Sequence, residues 1–310
     1  MKVTLQNLTK IFPSRNKKQP QDVIAVNDFC FEIPDCKLIG LLGPSGCGKS
    51  TTLNLLSGLQ KPTSGGFSVY GIKNSDKNIV KSRKRMGAVV ETPSIYLNMT
   101  AEENLKQQYL VLGLPNYDGL KELLALVGLS DTGKKKAKNF SLGMRQRLGI
   151  AIALAGNPDF LVLDEPINGL DPQGIVEIRE LVLKLNREKN ITFLISSHIL
   201  DELSRIATYY GFIDHGSLVK EMSAEELNDA CHKCVRVEIT KPEALTQVLD
   251  EMNIEYKLVS DNVADIYAKP NITQLTLALA DKGCEIISLK EQDESLESFY
   301  IGLLGGENNA

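Results

Sequence analysis

Gly43, Pro44, Ser45, Gly46, Cys47, Gly48, Lys49, Ser50 and Thr51 follow one another in the pattern G-x-x-x-x-G-K-[ST]. Glycines at this spacing let a backbone turn its N–H groups inward around phosphate oxygens. A helix starting at the lysine adds a favourable partial charge for the same anion. Lys49 then reaches the β- and γ-phosphates of a nucleotide, and the Ser50 hydroxyl can ligate Mg²⁺. Cys47 stands at a variable place in the pattern. The pattern tolerates any residue there; the alternative expectation, from Lys49 and a helix N-terminus beside it, is a lowered thiol whose alkylation would block nucleotide binding.

A second constellation follows downstream. Phe160-Leu161-Val162-Leu163 is an apolar run of strand length that ends in Asp164-Glu165-Pro166. Asp164 is placed to hold Mg²⁺, directly or through water, and Glu165 to orient and deprotonate an attacking water. Alone, two carboxylates after a strand would be an acidic cap. With the glycine-rich loop in the same chain they point to phosphoryl transfer to water.

These residues need a scaffold of strands and helices. Residues 38–42 form a strand buried on both faces, and a helix runs from Lys49 through Leu53, Leu55 and Leu56 to a C-cap at Gly58. Residues 2–8 read as an edge strand, 13–22 as a loop, and 27–33 and 87–90 as strands. Residues 94–128 are mostly helical, as are 144–155 and 174–188; 191–195 is a strand, and a hairpin turns at 214–217. After about residue 226 the order becomes β-α-β-β-α-β over 235–289, the ferredoxin-like pattern, followed by a closing helix over 294–304. The expected architecture is therefore α/β: a catalytic P-loop domain over 1–228, with a helical part at about 94–155, and a small α+β accessory domain over 232–304.

Composition narrows the classes. The chain has 310 residues, 43% hydrophobic and 24% charged, with a net charge of -4, which suits an ordinary globular protein and disfavours a nucleic-acid binder. No apolar run approaches the length of about 18–20 residues that a membrane-spanning helix needs. The first dozen residues alternate like a strand and lack a signal-peptide core. Six scattered cysteines suit reduced thiols in the cytosol.

Together these segments resemble the ABC-type ATPases, the nucleotide-binding subunits of ABC transporters. Phe140-Ser141-Leu142-Gly143-Met144-Arg145-Gln146-Arg147 is similar to the family signature, Asn168-Gly169-Leu170-Asp171 to its D-loop, and His198 to its switch histidine. Phe12 falls where the family places an aromatic that stacks on adenine. The resemblance implies ATP and Mg²⁺ as cofactors and a head-to-tail dimer, in which ATP on residues 43–51 of one subunit is capped by Ser141 and Gly143 of the other. Asp171 would line the same site, Glu165 and His198 would serve hydrolysis, and a second ATP-binding subunit, identical or homologous, would be required. It further implies an integral membrane permease as partner, no nucleic acid, and a cytoplasmic address, peripheral on the inner face of the cell membrane.

Two departures from the family pattern carry information. The signature has Phe140, Leu142 and Met144 where Leu, Gly and Gln are usual, while Ser141 and Gly143 are kept. Glu91 stands where the family has a glutamine that reaches Mg²⁺ and the attacking water; a carboxylate there would repel a triphosphate unless Mg²⁺ bridged the two. Glu91, the run from Ser141 to Ala151 and the C-terminal extension resemble exporters of bacitracin and lantibiotic-type antimicrobial peptides. Other readings are an exporter of a different substrate and a non-transport ABC ATPase. The basic clusters at 81–85 and 134–136 read as solvated loops. The lone Cys231-His232-Lys233-Cys234 lacks the second pair that a zinc site needs.

Overall fold

The computed structural model describes residues 3–14, 22–230, 233–260, 262–267, 271–293, 299–300 and 302–303. Cys231, His232 and much of the expected closing helix lie outside them, as does most of the expected loop at 13–22. The chain divides into two compact units, Met1–Ala224 and Glu225–Ala310, where the sequence suggested a division near 228–232.

The first unit contains β1 (Val3–Phe12), β2 (Val23–Ile33), β3 (Leu38–Leu42), α1 (Lys49–Ser57), β4 (Ser64–Val69), β5 (Ile72–Lys73), α2 (Ile79–Arg83) and β6 (Met86–Val89). The helical region follows as α3 (Ala101–Leu112), α4 (Leu120–Leu126) and α5 (Leu142–Leu154). Then come β7 (Phe160–Asp164), α6 (Pro172–Lys189), β8 (Thr192–Ser197), α7 (Leu200–Ser204), β9 (Tyr209–Asp214) and β10 (Ser217–Ser223). Among the described residues these strands form two sheets, an antiparallel one in the order β2-β1-β4-β5 and a six-stranded one in the order β10-β9-β3-β8-β7-β6.

β3, β6, β7, β8 and β9 run parallel, and every residue of β3, β7 and β8 is buried. That is why these segments read as unbroken apolar runs: a parallel sheet has both faces covered. Phe29, Phe31 and Val69 of the antiparallel sheet share one core with Leu53, Leu55 and Leu56 of α1 and with Ile39, Phe160 and Leu194 of the parallel sheet. Each such side chain contributes about 1.5–3 kcal/mol by leaving water. The resulting core holds the start of α1 against the ends of the strands.

β1 is not the edge strand its sequence suggested: β2 and β4 pair on its two sides, and it runs on to Phe12 past a register shift near Asn7, whose φ is 49°. β4 and β5 have no counterpart in the sequence reading, because Ser64-Gly65-Gly66 looks like a turn. Thr100 opens α3 with a capping box, exchanging hydrogen bonds with Glu103.

The second unit contains α8 (Ala224–Ala230, which straddles the division), β11 (Lys233–Ile239), α9 (Pro242–Glu251), β12 (Tyr256–Ser260), β13 (Val263–Ile266), α10 (Ile272–Asp281) and β14 (Ile286–Asp293). Its sheet has the order β12-β13-β11-β14 with antiparallel neighbours, as the ferredoxin-like pattern requires. Val237, Ile239, Ala264 and Ile266 face Leu245, Leu249, Leu275 and Leu279 in a separate core.

The hairpin between β9 and β10 buttresses the glycine-rich loop. Gly216 N–H donates to the Cys47 carbonyl at 2.8 Å, and the Gly216 carbonyl accepts from Asn27 N–H at 2.9 Å. Gly216 has φ of 81°, and a Cβ there would lie 2.9 Å from the Ala25 carbonyl oxygen. Gly216→Ala is therefore expected to lower the free energy of unfolding by about 1–3 kcal/mol, read as an earlier urea midpoint; an unchanged midpoint would contradict this account of the turn.

Candidate active site

The glycine-rich loop joins the end of β3 to α1. Gly48 carries φ of 109°, and a Cβ on it would meet the Ala25 carbonyl oxygen at 2.3 Å, so only glycine fits. No side chain caps α1. Its first N–H groups are therefore available to an anion, as a nucleotide phosphate requires. The Lys49 ammonium is buried and donates to the Gly43 carbonyl at 2.7 Å and the Pro44 carbonyl at 3.0 Å. It also lies 3.8 Å from Glu165 Oε1.

One strand, β8, separates β3 from β7, and the three end along one edge of the sheet. Asp164, the last residue of β7, is buried, and its Oδ1 accepts from the Ser196 hydroxyl of β8. Glu165 follows with φ of 48°, an unusual backbone state for this residue type. Its N–H donates to Ser196 Oγ at 3.0 Å and to the Ser196 carbonyl at 3.2 Å. The reversed backbone directs the Glu165 carboxylate into the cleft, where Oε2 lies 2.7 Å from His198 Nδ1. Lys49, Glu165 and His198 thus form a single cluster.

Ser45, Gly46, Gly48, Lys49, Ser50, Thr51, Glu165 and His198 line this cleft together with Ala25 and Asn168. Gly43 and Pro44 contribute carbonyls to Lys49 instead. The sequence reading of the site missed Ala25, for which no signal exists, and Asn168, which the D-loop segment marks. Phe12, Glu91, Ser141, Gly143 and Asp171 are not among the lining residues. The Phe12 ring is exposed, with the Lys10 ammonium 5.1 Å from its centroid. Glu91 is exposed after β6 with φ of 62°.

Ser141 and Asp171 act within the chain as helix caps. The Ser141 hydroxyl accepts from Met144 N–H at 3.2 Å to start α5, and the Asp171 carboxylate accepts from Gly174 N–H at 3.2 Å to start α6. The hydroxyl proton of Ser141 is not used in that cap. Gly143 sits in the first turn of α5, yet a Cβ there would come no nearer than 3.9 Å to any neighbour. Glycine weakens a helix by about 1 kcal/mol relative to alanine, and packing inside this chain does not call for it.

The low thiol expected for Cys47 is a correction. Cys47 is buried, and burial pushes its thiol up, outweighing the nearby Lys49 ammonium that lowers it. The basic cluster at 81–85 is also partly consumed: Arg85 pairs with Asp159 and stacks over the Tyr70 ring, with 3.9 Å between guanidinium carbon and centroid.

Known proteins resemble this chain along most of its length. The family profile described as ABC transporter matches residues 26–168. The chain is 35% identical to the bacitracin transport ATP-binding protein BcrA of Bacillus licheniformis over 303 residues, 97% of this chain and 96% of that protein. It is 40% identical to the lantibiotic transport ATP-binding protein SrtF of Streptococcus pyogenes over 217 residues, 70% of this chain and 89% of that protein. Among solved structures, the dimeric post-hydrolysis state of the ATP-binding cassette MJ0796 bound to ADP and Pi superposes with a TM-score of 0.64 at 27% identity, covering 72% of this chain and 98% of that one. The chain belongs to the ABC transporter family as an ATP-binding protein. Its first unit is an ABC-type ATPase fold, and its activity is transport-coupled hydrolysis of ATP.

If Glu165, which lines the cleft, serves as the base, Glu165→Gln is expected to slow ATP turnover by about 10²–10⁴-fold while leaving ATP binding within a few-fold. Turnover assays beside equilibrium binding check this, and wild-type turnover in the variant would remove Glu165 from that role.

Proposed function

We propose that this chain powers efflux of, or immunity to, antimicrobial peptides of the bacitracin or lantibiotic type through a separate membrane permease. The observation that carries the proposal is kinship along nearly the whole chain, C-terminal unit included, with a bacitracin transport ATP-binding protein. The higher identity to a lantibiotic transport ATP-binding protein over a shorter length supports it. Among the described residues no helix is long and apolar enough to cross a membrane, so the path for a peptide would come from the permease. The proposed address is the inner face of the cell membrane, held there by that partner.

In this reading, ATP phosphates lie on the N–H groups of residues 45–51 with Lys49 on the β- and γ-oxygens. The Ser50 hydroxyl and the Asp164 carboxylate are hard oxygen donors that suit Mg²⁺, which would neutralise charge on the phosphates. Glu165 takes the proton of the attacking water, and His198, hydrogen-bonded to Glu165, faces the γ-phosphate. Phe12, exposed near Lys10, is available to stack on the adenine.

Ser141 and Gly143 complete the site of a second chain, and Asp171 lies at the same junction. Two features support this: the uncommitted Ser141 proton, and the glycine at 143 that neighbours within the chain do not demand. Glu91, exposed at the end of β6, contacts the nucleotide only after the subunits close. Its main effect is then on coupling to the permease.

The test is reconstitution of the chain with its permease in lipid vesicles. Bacitracin or a lantibiotic is expected to raise ATP turnover several-fold, and an unrelated amphiphile is not; Glu91→Gln is expected to alter that stimulation with ATP binding retained. Equal response to all amphiphiles, or none to the peptides, would overturn the peptide assignment.

A further inference from the structure

His198 sits between two differently anchored elements. Behind it, β8 is fixed in the parallel sheet between β3 and β7. Ahead of it, α7 is a single short turn, Leu200–Ser204, without a side-chain cap. The position of the imidazole on Glu165 therefore depends on what holds α7.

α6 is the nearest fixed frame. Its N-terminus is capped by Asp171, and Glu177 ties it to α5 through Arg147 at 3.3 Å. Residues two apart on a helix point about 200° away from each other. Arg179 therefore leaves α6 on nearly the opposite side from Glu177, and its guanidinium reaches Glu202 of α7 at 3.2 Å. Arg205, more exposed, approaches the other Glu202 oxygen only to 4.0 Å.

Below that pair the apolar surfaces do not close. Pro166, Ile178, Val182, Ile195, Leu203 and Ile206 line a small apolar cavity between α6, α7 and the segment after Glu165. Close packing fixes the separation of two elements, and a void weakens that constraint on the α6 side of α7, while Leu203 packs over Gly40 of β3 on the other. The ion pair at the edge of the void remains. Its side chains are 19% and 22% exposed, so solvent screens it less than a surface pair.

We propose that Arg179 and Glu202 are positioning residues, whose ion pair fixes α7 against α6 and thereby holds the His198 imidazole at hydrogen-bond distance from Glu165. Neither residue touches the nucleotide cleft. Their contribution to hydrolysis passes through His198. A displacement of about 1 Å at a reacting group costs up to about a hundredfold in rate, which sets the scale of the effect.

The proposal rests on the ATPase reading only for its kinetic arm, and the experiment has a second arm that does not. Imidazole NMR signals are recorded on the full-length chain, with His198 assigned by loss of its signal in His198→Gln. Arg179→Met keeps the aliphatic stem and removes the charge; Glu202→Gln removes the other charge; Arg179→Lys keeps the charge at a contact made through one nitrogen. Lys106→Met, which breaks an exposed pair with Glu102, is the control.

Arg179→Met and Glu202→Gln are expected to shift the His198 signal and lower kcat about tenfold, with KM for ATP within about twofold. Arg179→Lys is expected to restore signal and rate, and Lys106→Met to change neither. Either of two results overturns the proposal: an unmoved His198 signal in both charge-removing variants, or one that moves equally in Arg179→Met and Arg179→Lys. If the wild type turned over no ATP, the ATPase reading would fall, while the NMR arm would still decide the role of the pair.

Discussion

The attraction among Lys49, Glu165 and His198 is the interaction on which the rest of the site depends. The three residues come from three places in the chain, and they meet because β8 lies between β3 and β7 in a parallel sheet. Parallel neighbours end on the same edge, and in open α/β sheets ligands bind outside the carboxyl ends of the strands. A cation, a carboxylate and an imidazole are thereby brought into one cleft. Coulomb energy alone would not hold such a cluster in water; burial of Lys49 reduces the screening of its pair with Glu165, while the His198 side chain stays 37% exposed.

Backbone geometry carries much of the remaining burden. Gly48 adopts a conformation closed to other residues, and Glu165 adopts one that few glutamates take. Two hydrogen bonds that the Glu165 N–H donates to Ser196 offset that cost, and the Ser196 hydroxyl at the same time donates to Asp164. Ser196 is thus a buried support for both carboxylates. It is not among the residues that line the cleft.

Local features of the site were legible in the sequence, and long-range ones were not. The glycine-rich loop is a contiguous pattern whose spacing reflects one turn and one helix start, so it could be read directly. Asp164 and Glu165 were legible because a buried parallel strand leaves an apolar run before them. The Glu165–His198 contact joins residues 33 apart in sequence and requires a strand order that no local pattern shows; the resemblance to the family assigned both residues to hydrolysis without pairing them. Cys47 shows the opposite failure: its neighbours' charges are visible in the sequence, but its burial is not, and burial decides the direction of its shift. β4 was missed for a related reason, since Gly65 takes a φ of 69° within a strand and looks like a turn residue. In the C-terminal unit the alternation over 235–239 was legible because Val235, Val237 and Ile239 share one face that packs in the core with the helices.

The central claim is that the cleft at the strand ends is an ATP site organised around Lys49. Equilibrium binding of ATP to the full-length chain and to Lys49→Met tests it most directly. Loss of a charge-assisted contact worth about 1.5–3 kcal/mol predicts an affinity at least about tenfold weaker in the variant. An affinity equal to that of the wild type would contradict the account.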